Sequence, residues 1–368
     1  MILVVGAGPT GLTAALEMTR RGREVRILDE AEQPIRSSKA IGINPRSLEL
    51  LEASGVTEKI LAEGRRLDRG VIHTAEGPLA TLDFSRLDHR YNRMTALQQA
   101  RTEALLEETL AERGVMVERG CEALGVVQDA ASAQVRVRRT GGGEEEIAAE
   151  HVVAADGAHS VLRKVLGLGF PGERYPGDWE LADIDVTGWP YPEDQLNLFF
   201  LPRSLLLAIG LEIDGRYRIA CNSGDPLPQL RRLGIEEERV VWSSKFHIGH
   251  HLIERFSEGR VHFAGDAAHL HSPAGGRGLN LGVEDACVLA MKLCQGGLDS
   301  YSAERHEIAK GVIRMTDALT RVATLANPAA QAMRNLLLRH VLPLGFAQRR
   351  LRRSIAGLAY PNPLTGSE

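Results

Sequence analysis

The amino-acid sequence predicts an α/β fold: a Rossmann-like domain with a parallel sheet, interrupted by an inserted antiparallel-sheet domain and followed by C-terminal helices. Three observations carry this prediction. First, an apolar run at residues 2–5 enters a glycine-rich turn, Leu12 to Arg21 has apolar residues at helical spacing, and a second apolar run follows at Val25 to Leu28. That is the pattern of a strand-helix-strand unit. Second, two later apolar runs end at Asp156-Gly157 and at Gly265-Asp266, and each leads toward a helical stretch, the latter reaching about Leu293. Third, the segments from about Val71 to Met94 and from Tyr175 to Phe256 read as short strands broken by turns, among them Trp179 to Val186, Leu196 to Leu201, Leu205 to Ile213 and Tyr217 to Cys221. Because these stretches interrupt the others, the chain is expected to cross between two domains more than once, leaving a site at their junction.

The opening turn is Gly6-Ala7-Gly8-Pro9-Thr10-Gly11. In a turn of this kind the first glycine permits a tight bend, the second lets the backbone approach a pyrophosphate, and the third lets the helix sit close on the sheet. The free N–H groups and the positive dipole end of that helix then face the phosphates. Asp29 ends the second strand, where a carboxylate can accept hydrogen bonds from ribose hydroxyls. The unit predicts a bound dinucleotide without choosing between NAD and FAD, since both present an adenosine ribose and a pyrophosphate.

Composition narrows the class. A chain of 368 residues, 43% hydrophobic and 25% charged, has room for two cores. The formal net charge of -4, with both signs spread along the sequence, gives no basic face for nucleic acid. Cys121, Cys221, Cys287 and Cys294 are scattered without zinc or disulfide spacing, which suits a reducing, cytoplasmic setting. The apolar start is too short for a signal peptide and no run reaches a membrane span, so secretion and integral membrane contact are not expected.

Taken together, Gly6 to Gly11, Asp156-Gly157 with Ser160 and Arg163, and Gly265-Asp266 through Asn280 resemble the three fingerprints of the class A flavin monooxygenases, the para-hydroxybenzoate hydroxylase-like family that includes polyketide and tetracycline hydroxylases. Order and spacing match across nearly the whole chain. The resemblance implies an FAD-dependent enzyme reduced by transiently bound NADH or NADPH, using molecular oxygen to hydroxylate an aromatic or polyketide-like small molecule through a flavin hydroperoxide. It implies that residues 1–70, 95–174 and 257–368 form a discontinuous FAD-binding domain with the C-terminal helices, and residues 71–94 and 175–256 the substrate domain. The chain is also expected to lack the thioredoxin-like domain that larger phenol hydroxylases carry at the C-terminus.

Carried over by position, the resemblance places Asp29 on the adenosine ribose, Thr10 with the neighbouring amides of the turn that holds Gly8 and Pro9 on the pyrophosphate, and Asp266 on the ribityl chain. Asp156 and Arg163 would tie the glycine loop to the region where nicotinamide passes. Pro273, Gly276 and Gly278 would lie along the isoalloxazine edge, with the amides of Leu279 and Asn280 at its pyrimidine end, where a helix N-terminus stabilises developing negative charge. Gln99 falls where such enzymes have a glutamine near the flavin, and Ser38-Lys39-Ala40 where they usually have an arginine. Two departures stand out: Lys39 offers a point charge instead of a planar fork, and Arg277 stands where many relatives have glutamine, although lysine also occurs there. No acid-base catalyst is identified.

Other readings are kept in view. A geranylgeranyl-reductase-type flavoenzyme shares the fingerprints in looser form, a flavin halogenase would need a tryptophan-rich signature that is absent, and a non-catalytic flavin-binding protein is the reading from a different class. His247, His250 and His251, and likewise Asp266, His269 and His271, lack a recognised metal-ligand spacing, so no metal is expected and His269 is read as packing beside the flavin loop. Trp179, Trp189 and Trp242 are read as core. Gly141 to Glu146 reads as a hairpin tip. Arg349, Arg350, Arg352 and Arg353 lie among leucines in a C-terminal helix expected to pack on the flavin domain, so peripheral membrane contact is not expected. Monomer and homodimer are both open.

Overall fold

The computed structural model describes residues 1–36, 39–175, 177–201 and 204–365. A six-stranded sheet anchors the first layer. Its central strands Ile2–Val5, Val25–Leu28, His151–Ala154 and Val261–Phe263 run parallel, Val117–Glu118 extends one edge, and Ser257–Glu258 closes the other antiparallel. Ile2, Leu3, Val4, Val152, Val153, Val261 and Phe263 are fully buried, as expected of parallel strands covered on both faces. The first helix, Pro9–Arg20, and the long helix Gly278–Gln295 pack into the same core.

The second layer is a seven-stranded sheet in the spatial order Arg239–Phe246, Trp179–Asp185, Arg216–Cys221, Ser204–Gly210, Gln195–Leu201, Arg69–Thr74 and Gly77–Asp83. All its pairings are antiparallel except Gln195–Leu201 with Arg69–Thr74. Residues alternate between its faces. Leu206, Ala208, Tyr217 and Ile219 face outward under Trp189 and Tyr191, whereas Leu205, Ile209, Leu198 and Phe200 face inward toward Leu338, Leu342 and Leu351 of the C-terminal segment. A small sheet joins Gly172–Arg174, Gly249–Leu252 and His269–Leu270, and the expected hairpin at Gly141 to Glu146 connects Ala133–Arg139 to Glu144–Ala149. Helices Leu298–Ala323, Pro328–His340 and Gly345–Ile355 complete the chain.

Candidate functional site

The three fingerprints, far apart in sequence, converge at the carboxyl ends of neighbouring parallel strands. The Gly6–Gly11 turn leaves strand Ile2–Val5, the Asp156 loop leaves His151–Ala154, and the Gly265 loop leaves Val261–Phe263. Their glycines are forced by contact. Gly6 takes φ +101° and a Cβ there would overlap the Ala155 carbonyl; a Cβ on Gly11 would overlap the Gly6 carbonyl; one on Gly265 or Gly282 would overlap the Thr10 hydroxyl. Thr10 therefore turns its side chain into the seam between the two helices, leaving the backbone of the turn to meet a ligand.

Gly8 behaves differently, because a Cβ there would meet nothing within 4 Å. Helix Pro9–Arg20 has Gly8 as its N-cap, no side-chain cap and no acid in its first turn, so its first amides stay free for an anion. Asp29 lies across the turn, accepting from the Ala7 amide at 2.6 Å and the Ala31 amide at 2.9 Å, with Arg119 at 3.6 Å. Gln99 opens helix Gln99–Ala111 and donates to Glu103 at 2.8 Å.

Glu103 was invisible to sequence reasoning, being one acid on an otherwise ordinary helix. Burial pushes its carboxyl up to about 7, against the lowering effects of Gln99 and Arg119, with Asp29 adding repulsion. The unfolded chain releases this proton near 4.5, whereas the folded chain holds it to about 7. Native stability from this group therefore falls as pH rises through that window. Glu103→Gln is expected to gain on the native chain by up to a few kcal/mol across the window, read by urea melts at its two ends; equal melts at both would remove the argument.

The Asp156 loop is held internally. Asp156 accepts from the Val161 and Leu162 amides, Ser160 caps the helix that follows, and Arg163 donates to the carbonyls of Ala158 and Ala267, tying this loop to the Gly265 loop. Asp266 is exposed, yet surrounding protein raises its carboxyl through burial, with His269 and Lys39 pulling the other way. An accessible carboxylate that is nonetheless desolvated lies on the floor of a cleft. Lys39 sits beside that cleft with its ammonium 5.0 Å from the Phe246 ring and its carbonyl accepting from Arg218 at 2.7 Å; Ser38 lies outside the described residues.

The loop from Pro273 to Gly278 is backed by Leu319, Met315 and Ile355, which stand just beyond Gly275. Gly276 faces open space, and Gly278 begins the long helix, whose N-terminus has no side-chain cap. Leu279 packs against the core. Asn280 is buried and pins the loop: its side chain donates to the carbonyls of Gly42 and Gly276 and accepts from the Asn44 amide and the Ser47 hydroxyl. Arg277 is also buried, turned away toward Tyr360 at 3.0 Å.

Beneath the loop lies an ion network that no motif announced. His269 contacts Asp285 at 2.6 Å, Arg305 contacts Asp285 and Glu284 at 2.7 Å each, and Tyr360 donates to Glu284 at 2.8 Å. His269 thus packs and hydrogen-bonds beside the loop, as its sequence context suggested. His251 and His247 have partners of their own, the Phe170 carbonyl and Asp178. No group of three metal-ligating side chains occurs among the described residues. Trp179 is buried, Trp189 stacks on Tyr217, and Trp242 is half-buried with Arg218 over its ring.

Comparison with known proteins agrees with this geometry. The profile of the family described as FAD binding domain matches residues 1–204 and 230–316. The 6-methylpretetramide 4-monooxygenase of Streptomyces rimosus is 32% identical over 396 residues, covering 99% of this chain and 71% of that protein. The chain belongs to the class A flavin monooxygenases. Among solved structures, this monooxygenase is similar to the p-nitrophenol 4-monooxygenase PnpA of Pseudomonas putida DLL-E4, with a TM-score of 0.89, 25% identity, and 97% and 98% of the two chains covered. It is also similar to the anhydrotetracycline hydroxylase OxyS of Streptomyces rimosus, with a TM-score of 0.83, 32% identity, and 100% and 77% covered.

The residues present fit FAD. Open space at Gly8 and Gly276, two uncapped helix N-termini and an accessible acid on the cleft floor are what a dinucleotide with a long polar linker and an electron-accepting ring requires. Among the described residues no helix is long and apolar enough to cross a membrane.

Proposed function

We propose that this FAD-dependent monooxygenase places one oxygen atom of molecular oxygen on an electron-rich aromatic or polyketide-like small molecule, with electrons from NADH or NADPH that binds transiently. The observation that carries the substrate class is the inward face of the antiparallel sheet. Partly buried Leu198 and Leu207 alternate there with outward-facing core residues, partly buried Trp242 and Phe246 continue the same face onto the edge strand, whose other side is exposed, and Lys39 links that face to Asp266. An apolar ceiling over a polar cleft floor suits a flat, largely apolar substrate.

In this reading residues 1–70, 95–174 and 257–368 form the FAD-binding domain, and 71–94 and 175–256 the substrate domain. Asp29 holds the adenosine ribose, the amides of Thr10 and Gly11 beside the open Gly8 the pyrophosphate, Asp266 the ribityl chain, and Pro273 through Asn280 the ring edge. Lys39 and Gln99 flank the cofactor, and Asp156 keeps the glycine loop facing the nicotinamide's approach. Bound FAD supplies hydride acceptance and oxygen activation. The chain's part is to orient the reactants, to stabilise negative charge at the ring with the N-terminus of helix Gly278–Gln295, and to exclude water with the loop around Pro273. The setting is cytoplasmic, where reduced nicotinamide nucleotides are available.

Anaerobic mixing of the yellow protein with NADH or NADPH, followed at about 450 nm, tests the reading against a panel of phenols and polyketides. Flavin bleaching accelerated by one compound, with oxygenated product on admitting air, is the expected result. Bound FAD that neither nucleotide reduces would overturn it.

A further inference from the structure

The C-terminal helices present a surface that the flavin site does not use. From residue 318 to residue 367 the sequence holds seven arginines and neither aspartate nor glutamate, in a chain of net charge -4. Two turn inward: Arg334 lies 3.8 Å from the Phe200 ring, and Arg352 donates to the Asp83 carbonyl at 2.9 Å. Arg321 and Arg339 pair with Asp317 and Glu76. Arg349, Arg350 and Arg353 are exposed, have no carboxylate partner among the described residues, and line an open groove of about 670 Å³ with Phe346. Of this basic segment, expected to pack on the flavin domain, Arg352 packs on the edge strand of the antiparallel sheet instead, and these three face outward.

Apolar side chains flank them. Met333, Leu336, Leu337, Val341 and Leu344 recur at intervals of three and four residues along helix Pro328–His340 and the turn after it, and all are exposed, as is Phe346 at 70%. The opposite side of that helix is already used, with Leu338 packed in the inner core of the antiparallel sheet. A stripe of this size left in water marks an interaction surface.

We propose that this face docks the protein reversibly on an anionic phospholipid surface, with Phe346 and the leucines entering the headgroup boundary and Arg349, Arg350 and Arg353 facing lipid phosphates. Charge complementarity selects the occupant. Across a twofold axis the face would meet its own copy, and residues 318–367 hold no carboxylate to pair with those arginines, whereas apolar side chains bordered by arginine are the composition that settles in a membrane interface. With no helix able to cross the bilayer among the described residues, the contact is with one leaflet.

Co-sedimentation of the FAD-loaded full chain with vesicles tests this, using phosphatidylcholine alone or mixed with phosphatidylglycerol. The protein is expected to pellet with the mixed vesicles only and to be released by high salt, which screens the arginines. Removing each of Arg349, Arg350 and Arg353 should weaken binding about fivefold, and Phe346→Ser with Leu337→Ser should abolish it. These positions are exposed, so flavin content and melting temperature of the variants should match the native chain, and reduction by nicotinamide should be unchanged whichever way the vesicle result falls. Protein that stays in the supernatant, or that binds neutral vesicles equally, overturns the proposal. So does a dimer, seen by light scattering, that the same substitutions dissociate.

Discussion

Gly11→Ala is expected to cost the monooxygenase both its stability and its flavin, whereas Gly8→Ala, three residues away in the same turn, is expected to cost the flavin alone. The two glycines face different surroundings. A Cβ at Gly11 would overlap the carbonyl oxygen of Gly6 and crowd the Ala155 side chain. Backbone cannot swing aside as a flexible side chain can, so the helix must move off the sheet. Overpacking of this kind costs about 1–3 kcal/mol and occasionally more; with two rigid segments involved, the upper end applies. At Gly8 a Cβ meets no protein atom. The protein without flavin should then melt as the native chain does, to within about 0.5 kcal/mol, the usual range for a harmless surface change. Its FAD affinity should nevertheless fall at least about tenfold, or 1.4 kcal/mol, because the added methyl occupies the space that the pyrophosphate approaches. Urea melts of flavin-free protein and FAD titration by fluorescence separate the two effects. A Gly8→Ala protein that binds FAD normally would mean that the dinucleotide does not lie over this turn.

The second large effect is expected at Asp285. Its carboxylate is fully buried, accepts from the Gly265 amide at 3.0 Å and Arg305 at 2.7 Å, and contacts His269. Burial by itself would raise the carboxyl, but Arg305 and His269 outweigh it and hold it below its ordinary value. Asp285→Ala leaves Arg305 with Glu284 as its remaining acid and strips the Gly265 amide of its acceptor. Breaking a buried ion pair from one side typically costs about 3–5 kcal/mol. Because Gly265 precedes Asp266 on the cleft floor, flavin should also be lost at lower temperature. The group's pH dependence runs opposite to that of Glu103: stability from Asp285 is present above the unfolded carboxyl value and is lost as pH falls through the depressed folded one. The native and Asp285→Ala proteins should therefore converge in acid. A loss below about 1 kcal/mol near neutrality, within the typical effect of any single substitution, would show that Glu284 alone neutralises Arg305.

These two sites differ in how far the sequence revealed them. Gly6, Gly8 and Gly11 were legible because a tight turn between strand and helix constrains neighbouring residues, and local backbone geometry leaves its mark in local residue order. The boundaries of strands such as Gln195–Leu201 and Arg216–Cys221 fell within a residue or two of the sequence reading for the same reason. Asp285, Arg305 and Tyr360 were not legible. Each is an ordinary residue on an ordinary helix or loop, and its meaning arises only from partners 16 to 83 residues away.

Residue order by itself determined the nucleotide-binding turn, the succession of the three fingerprints and the alternation of the sheets, all written in spacing and hydrophobic period. Tertiary structure decided what those elements do to one another. It closed Thr10 between Gly265 and Gly282, joined Asn280 to Asn44 across 236 positions, buried Glu103 beside Asp29, and left Phe346 and three arginines facing outward. The reason is physical. Desolvation and charge pairing depend on which surfaces meet after folding, and no local pattern of residues encodes that meeting.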